Sequence, residues 1–181
     1  MLFSGTSAAA PFVTGTLVSI LSSEIARSNK EVVDLMKRTL DEAGAPGADP
    51  VYGGGLVNWD RLRERDTAAI LDVALADIYL PPNARPGTTM PIEVIVQNRG
   101  TTWLTTSTLT VIVGEEGEPV DFTIGTLGPG KTTTRKVYTQ VPSIDSDESL
   151  EIAAQVLTEE PMDDVRFENN TKAVFFKPIQ K

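Results

Sequence analysis

Pro91-Ile92-Glu93-Val94-Ile95-Val96-Gln97-Asn98 places Ile92, Val94 and Val96 on one side of an extended chain and Glu93, Ile95 and Gln97 on the other. Successive side chains point to opposite faces of a strand, so this period predicts a strand with one face turned to a core. The same chemistry repeats on either side. Leu71 to Leu80, stopped by Pro81-Pro82, precedes it. Thr108 to Val113, Val120 to Ile124, Thr132 to Val141, Leu150 to Leu157 and Lys172 to Phe176 follow, separated by clusters of Gly, Pro, Asn and Asp. Seven short strands in a segment of this length predict an antiparallel sandwich of immunoglobulin type.

N-terminal to residue 71 the spacing is helical. Ala8 to Ala26 carries apolar residues on nearly every side of a helix, the pattern of a helix enclosed within a larger protein. Ser28 and Glu31 stand at capping-box spacing. Val32, Val33, Leu35, Met36 and Leu40 then recur at helical intervals until Gly44, with Lys30, Asp34, Lys37, Arg38 and Asp41 expected outward. The loop Ala45 to Pro50 ends that helix. Tyr52-Gly53-Gly54-Gly55-Leu56-Val57-Asn58 then leads into a short helix from Trp59 to Ile70, its glycines permitting a close approach to the packed helices.

The chain has 16 basic and 25 acidic residues, a net charge of −9, which argues against nucleic acid and anionic membrane as partners. The charge is uneven: residues 1–70 hold seven basic and nine acidic residues, and residues 71–181 hold nine and sixteen. Without cysteine there is no disulfide framework and no thiolate metal site. The apolar run Ala8 to Leu21 is too short to cross a membrane, and the uncharged start, with Glu24 the first charged residue, does not suit a secretory signal.

Ser4-Gly5-Thr6-Ser7-Ala8-Ala9-Ala10-Pro11 carries the chemistry. A nucleophilic serine needs small neighbours and a helix beneath it, whose free N–H groups and positive dipole end favour a developing oxyanion. On pattern alone Ser7 reads first as the N-cap of a core helix in a small helical bundle, because Ser at a helix start is far more often a cap than a nucleophile. Gly5-Thr6-Ser7-Ala8-Ala9-Ala10-Pro11-Phe12-Val13-Thr14-Gly15 resembles the nucleophile segment of subtilisin-like serine peptidases, and Tyr52 to Asn58 resembles their closing segment. The resemblance implies Ser7 as the catalytic nucleophile, Gly5 and Thr6 bordering the substrate groove, a protein or peptide substrate, and no cofactor. It also implies an Asp and a His in segments N-terminal to the serine, where only six residues stand here. The chain contains no His, so no base takes the Ser7 proton and the isolated chain is expected to be inactive.

In the second half, Val94-Ile95-Val96-Gln97-Asn98-Arg99-Gly100, Leu127-Gly128-Pro129-Gly130 and Glu168-Asn169-Asn170-Thr171 resemble the V-x-V-x-N-x-G, L-x-P-G and E-x-N-N motifs of CARDB, a class of bacterial and archaeal adhesion-like sandwich domains. Fibronectin type III and other immunoglobulin-like domains are the neighbouring possibility. The expected organisation is therefore α+β: residues 1–70 as the helical C-terminal part of a subtilisin-type α/β domain, and residues 71–181 as an all-β, CARDB-type sandwich. An extracellular or cell-surface location follows by the same resemblance. The alternative is a non-catalytic adhesion or binding module carrying an inert peptidase remnant.

Three other patterns have structural explanations. Gly125 to Thr132 fits a phosphate-loop pattern, but Pro129 lacks an N–H and strand chemistry follows it, so a turn is expected. Asp145, Asp147, Glu148, Glu159, Glu160, Asp163 and Asp164 lack calcium-loop spacing and read as solvated loop charge, so no metal site is assigned. Asn169-Asn170-Thr171 matches a glycosylation sequon that turn formation accounts for, and Trp59 and Trp103 read as core or interface residues.

Overall fold

The computed structural model describes residues 5–143, 148–159 and 163–178. Two sheets form the main body. One has three strands in the order β3 (Val73–Tyr79), β4 (Thr89–Asn98), β7 (Thr132–Gln140). The other has four, in the order β6 (Val120–Ile124), β5 (Ser107–Val113), β8 (Leu150–Thr158), β9 (Thr171–Phe176), and all neighbours are antiparallel. All seven strands expected from alternation are present.

The core lies between the sheets. Ile92, Val94 and Val96 from β4 meet Leu109 and Val111 from β5 and Ile152 and Val156 from β8, all at 0% exposure. In β3 the inward set is Val73 and Leu75 and then Ile78, because the register with β4 shifts between Leu75 and Asp77. One extra residue there reverses the alternation, as a bulge does. Pro91 sits in the central strand, which ordinarily excludes proline. It is tolerated because β3 ends at Tyr79, opposite Glu93, so β4 is already an edge on that side at Pro91.

The other face of β4 is not open. Ile95 and Gln97 are buried too, since the N-terminal segment docks there. That segment contains α1 (Thr6–Ser22), α2 (Asn29–Arg38), a two-residue ladder of β1 (Leu40–Asp41) with β2 (Leu56–Val57), and α3 (Trp59–Glu64). Ser28 caps α2 by accepting from Glu31 N–H at 3.3 Å, and Glu31 Oε2 reaches back to Arg27 N–H at 2.7 Å. The reciprocal bond of the capping box thus lands one residue early.

Several expectations need correction. The second helix ends at Arg38 rather than continuing toward Gly44, because Leu40 and Asp41 leave it to pair with Val57 and Leu56. Asp41 consequently turns inward to arginines. The last helix stops at Glu64 rather than Ile70. The close backbone approach is made at Gly55, with φ +118°, to β1 and not to a helix: a Cβ there would collide with Asp41 O. Trp59 and Trp103 are exposed, not core. Asp145, Asp147 and Glu160 lie outside the described residues.

Candidate functional site

Gly5 opens α1 with φ +116°, a conformation L side chains rarely adopt, and offers no side-chain cap. Its carbonyl accepts from Ala8 N–H at 2.9 Å and Ala9 N–H at 3.2 Å. The Ser7 N–H precedes the first intrahelical bond and belongs to the unpaired donors of the helix start. Pro11 stands one turn further on and has no N–H to give the Ser7 carbonyl. Gly5, Thr6 and Ser7 are all exposed, and among the described residues no side chain is hydrogen-bonded to Ser7 Oγ. The serine is displayed on a tight turn, with no base beside it.

Helix α1 is the most apolar helix and the least covered. Only Thr16 and Ile20 are buried, while Phe12, Val18 and Leu21 are 55%, 58% and 46% exposed. Thr16 is accommodated because its hydroxyl donates to Phe12 O at 3.0 Å. The helix packs through Ile20 and Leu17 onto Val32, Leu35 and Leu62.

A polar seam that no local sequence pattern reveals joins this segment to the sandwich. Arg61, with 5% of its side chain exposed, donates to Leu40 O, to Asp41 Oδ1 at 3.0 Å and to Arg99 O at 3.2 Å. Gln97 of β4 donates to Leu40 O at 3.0 Å and accepts from Glu42 N–H at 3.0 Å and Arg99 Nε at 3.1 Å. Asp77 of β3 accepts from Gly44 N–H at 2.7 Å and Lys172 Nζ at 2.6 Å. A charge at i+3 from the Asn58 cap is the only sequence sign of Arg61, and it does not reveal a partner 38 residues away.

The three short motifs of the second half converge on the same end of the sandwich. Asn98, at 0% exposure, donates to Thr102 O and Leu127 O, both at 2.8 Å, and accepts from Gly100 N–H at 3.0 Å. It thereby fastens the Leu127-Gly128-Pro129-Gly130 turn, which leads into β7 as expected of a turn and not of a phosphate loop. Gly100 fits only without a Cβ, which would collide with Ile70 O. Asp72, also at 0% exposure, accepts from Asn169 Nδ2 at 3.0 Å and Arg166 at 2.9 Å, and Arg166 bridges onward to Glu64 of α3. Burial raises the Asp72 carboxyl above its ordinary range, with the Asn169 and Arg166 bonds opposing, while the Arg166 guanidinium is driven upward chiefly by Glu64.

Two readings of this region change. Asp164 is not solvated loop charge: it is buried and accepts from Val73 N–H, Arg166 N–H and Asn170 Nδ2. The Asn169-Asn170 pair does more than form a turn, since both amides donate to buried carboxylates. Among the described residues no three acidic, His or Cys side chains are grouped to hold a metal ion, and no helix is long and apolar enough to cross a membrane.

Sheets of three and four antiparallel strands, closed at one end by asparagine and aspartate pins, define a β-sandwich module. Residues 70–174 match the family model CARDB, and the chain belongs to that family. It is similar to the CARDB domain of a Pyrococcus furiosus protein, a crystal structure in complex with di-metal ions, at 18% identity and a TM-score of 0.53, over 64% of this chain and 99% of that one. The solution structure of the same domain aligns over 61% and 96% at 18% identity, with a TM-score of 0.49. A domain of a candidate cell-surface protein from Methanosarcina acetivorans aligns over 62% and 95% at 19% identity, with a TM-score of 0.45. No curated protein matches the chain.

Proposed function

We propose that residues 1–70 are the C-terminal part of a subtilisin-like serine endopeptidase domain and that residues 71–181 are its appended CARDB module, exported to the cell surface or beyond. The supporting observation is α1 itself: a Gly-Thr-Ser turn at its start, and apolar flanks left exposed among the described residues. In the assembled enzyme Ser7 Oγ adds to the scissile carbonyl and its proton passes to a His and from there to the leaving amine, while the Ser7 N–H helps bind the oxyanion. Gly5 and Thr6 border the groove that takes a peptide or protein substrate.

Reading the coding DNA upstream of the Met1 codon tests this. In-frame segments encoding D-[ST]-G and H-G-T patterns support the proposal, and an in-frame stop close by overturns it. A fluorophosphonate probe, which marks activated serines, should leave Ser7 of this chain unlabelled, because losing the base alone costs a subtilisin about a million-fold in turnover. The absence of His and the membership in CARDB favour a second reading, a non-catalytic adhesion module, which the stop codon would select.

A further inference from the structure

A cleft of about 500 Å³ opens where α2 and α3 meet the β4–β5 and β6–β7 turns. Its walls differ in character. Ile25, Leu35 and Pro129 are among its apolar lining residues, and Arg38, Arg61, Arg65 and Arg99 are its basic ones. The acids around it are already engaged: Glu64 with Arg166, Asp66 with Arg65 at 2.8 Å, and Glu31 with Arg27 N–H.

Arg99 is the unusual member. Its side chain is 15% exposed, its Nε donates to Gln97 at 3.1 Å, and among the described residues neither terminal nitrogen has a hydrogen-bond partner. Asp41 lies 3.4 Å from its Nε but is held more closely by Arg61, at 3.0 Å. Asp72, the next carboxylate in its surroundings, is matched by Arg166. Each neighbouring anion thus already serves another arginine, and burial lowers the affinity of Arg99 for its proton. The two planar terminal donors of an arginine that lines a cleft suit a carboxylate, which accepts both at once.

We propose that this cleft binds the C-terminal carboxylate of a peptide whose last residue is apolar. The carboxylate pairs with Arg99 and Arg38, and the adjoining side chain rests on Ile25, Leu35 and Pro129. An acid carrying apolar bulk next to its charge uses both walls, whereas a bare inorganic anion uses one. The site lies at the seam and does not depend on Ser7 or on the peptidase reading.

The test is a titration of the ¹⁵N-labelled 181-residue chain with N-acetylleucine, followed at the Gly100, Thr101 and Gly130 amides. The expected result is saturable shifts, with N-acetylleucinamide and inorganic phosphate each weaker by about tenfold, the scale of a lost charge-assisted hydrogen bond or of an unused apolar wall. Arg99→Gln should weaken binding by a similar factor, and Arg38→Gln, which alters a side chain with no hydrogen-bond partner among the described residues and keeps the carbonyl that Arg61 uses, gives an independent measure should Arg99→Gln loosen the seam. Arg63→Gln, at an exposed position outside the cleft, should bind as the wild type does. Absence of saturation, equal binding of the amide or of phosphate, or undiminished binding in both Arg99→Gln and Arg38→Gln overturns the proposal.

Discussion

The sandwich and α1 are both rich in apolar residues and meet opposite fates. Ile92, Val94, Leu109 and Ile152 are at 0% exposure, because every strand that needs a facing sheet has one in the chain. Phe12, Val18 and Leu21 remain exposed, because α2 and α3 cover only one flank of α1. Hydropathy states a demand for burial, and only topology says whether the partner is at hand. The sandwich is therefore expected to carry its own stability, and α1 to behave as a surface awaiting cover.

The widest separation of the two regions comes from truncation in the core. Leu109→Ala should cost about 3–4 kcal/mol by removing a buried side chain and leaving a cavity, as read by denaturant unfolding of the sandwich. Arg61→Leu should cost roughly 2–3 kcal/mol, since it removes the side-chain donor to Arg99 O and one of the two donors to Leu40 O and weakens the hold on Asp41. Hydrogen exchange should show that loss in residues 38–66 and leave the Val94 and Val156 amides protected. Equal deprotection of both would mean that the seam and the core are one cooperative unit.

A pH series sharpens the comparison further. Burial raises the Glu42 carboxyl, offset in part by its bond from Gly47 N–H. The folded state thus holds this proton more tightly than the unfolded chain, so the linked stability is complete below the unfolded pKa and is lost as pH rises through the higher folded one. Glu42→Gln, which keeps an oxygen for Gly47, should remove that dependence. Its melting temperature relative to wild type should rise between acidic and neutral pH, and a parallel pair of curves would refute the assignment. The smallest effect is expected on α1: Phe12→Ser should change stability by less than about 0.5 kcal/mol while reducing self-association in light scattering. A large loss would show that α1 is already packed.

The strands are legible in the sequence because alternation over five to ten residues is a local signal that packing reinforces. The β3 bulge is not, since Val73, Leu75 and Ile78 share a face only after the ladder with β4 inserts a residue. The position of Ser7 at a helix start is readable from Gly5 to Pro11, whereas the chemistry proposed for it depends on groups that no local pattern supplies. The seam is hidden for another reason: Arg61, Asp41, Gln97 and Arg99 each look like surface polar residues, and only the folded chain sets them against one another. Asn98, Asn169 and Asn170 are visible as motif letters, yet their work as pins needs the partners Leu127, Asp72 and Asp164.

The Gln97 amide bonds to both Leu40 and Glu42, and Asp77 takes hold of Gly44 two residues later. With the chain sewn across the sheet in this way, the sandwich is no pendulum on a leash. The seam sets the sandwich at a fixed bearing from the segment that carries Ser7, so changing the length of the connection near Ile70 should disturb registration between the two far more than it alters reach.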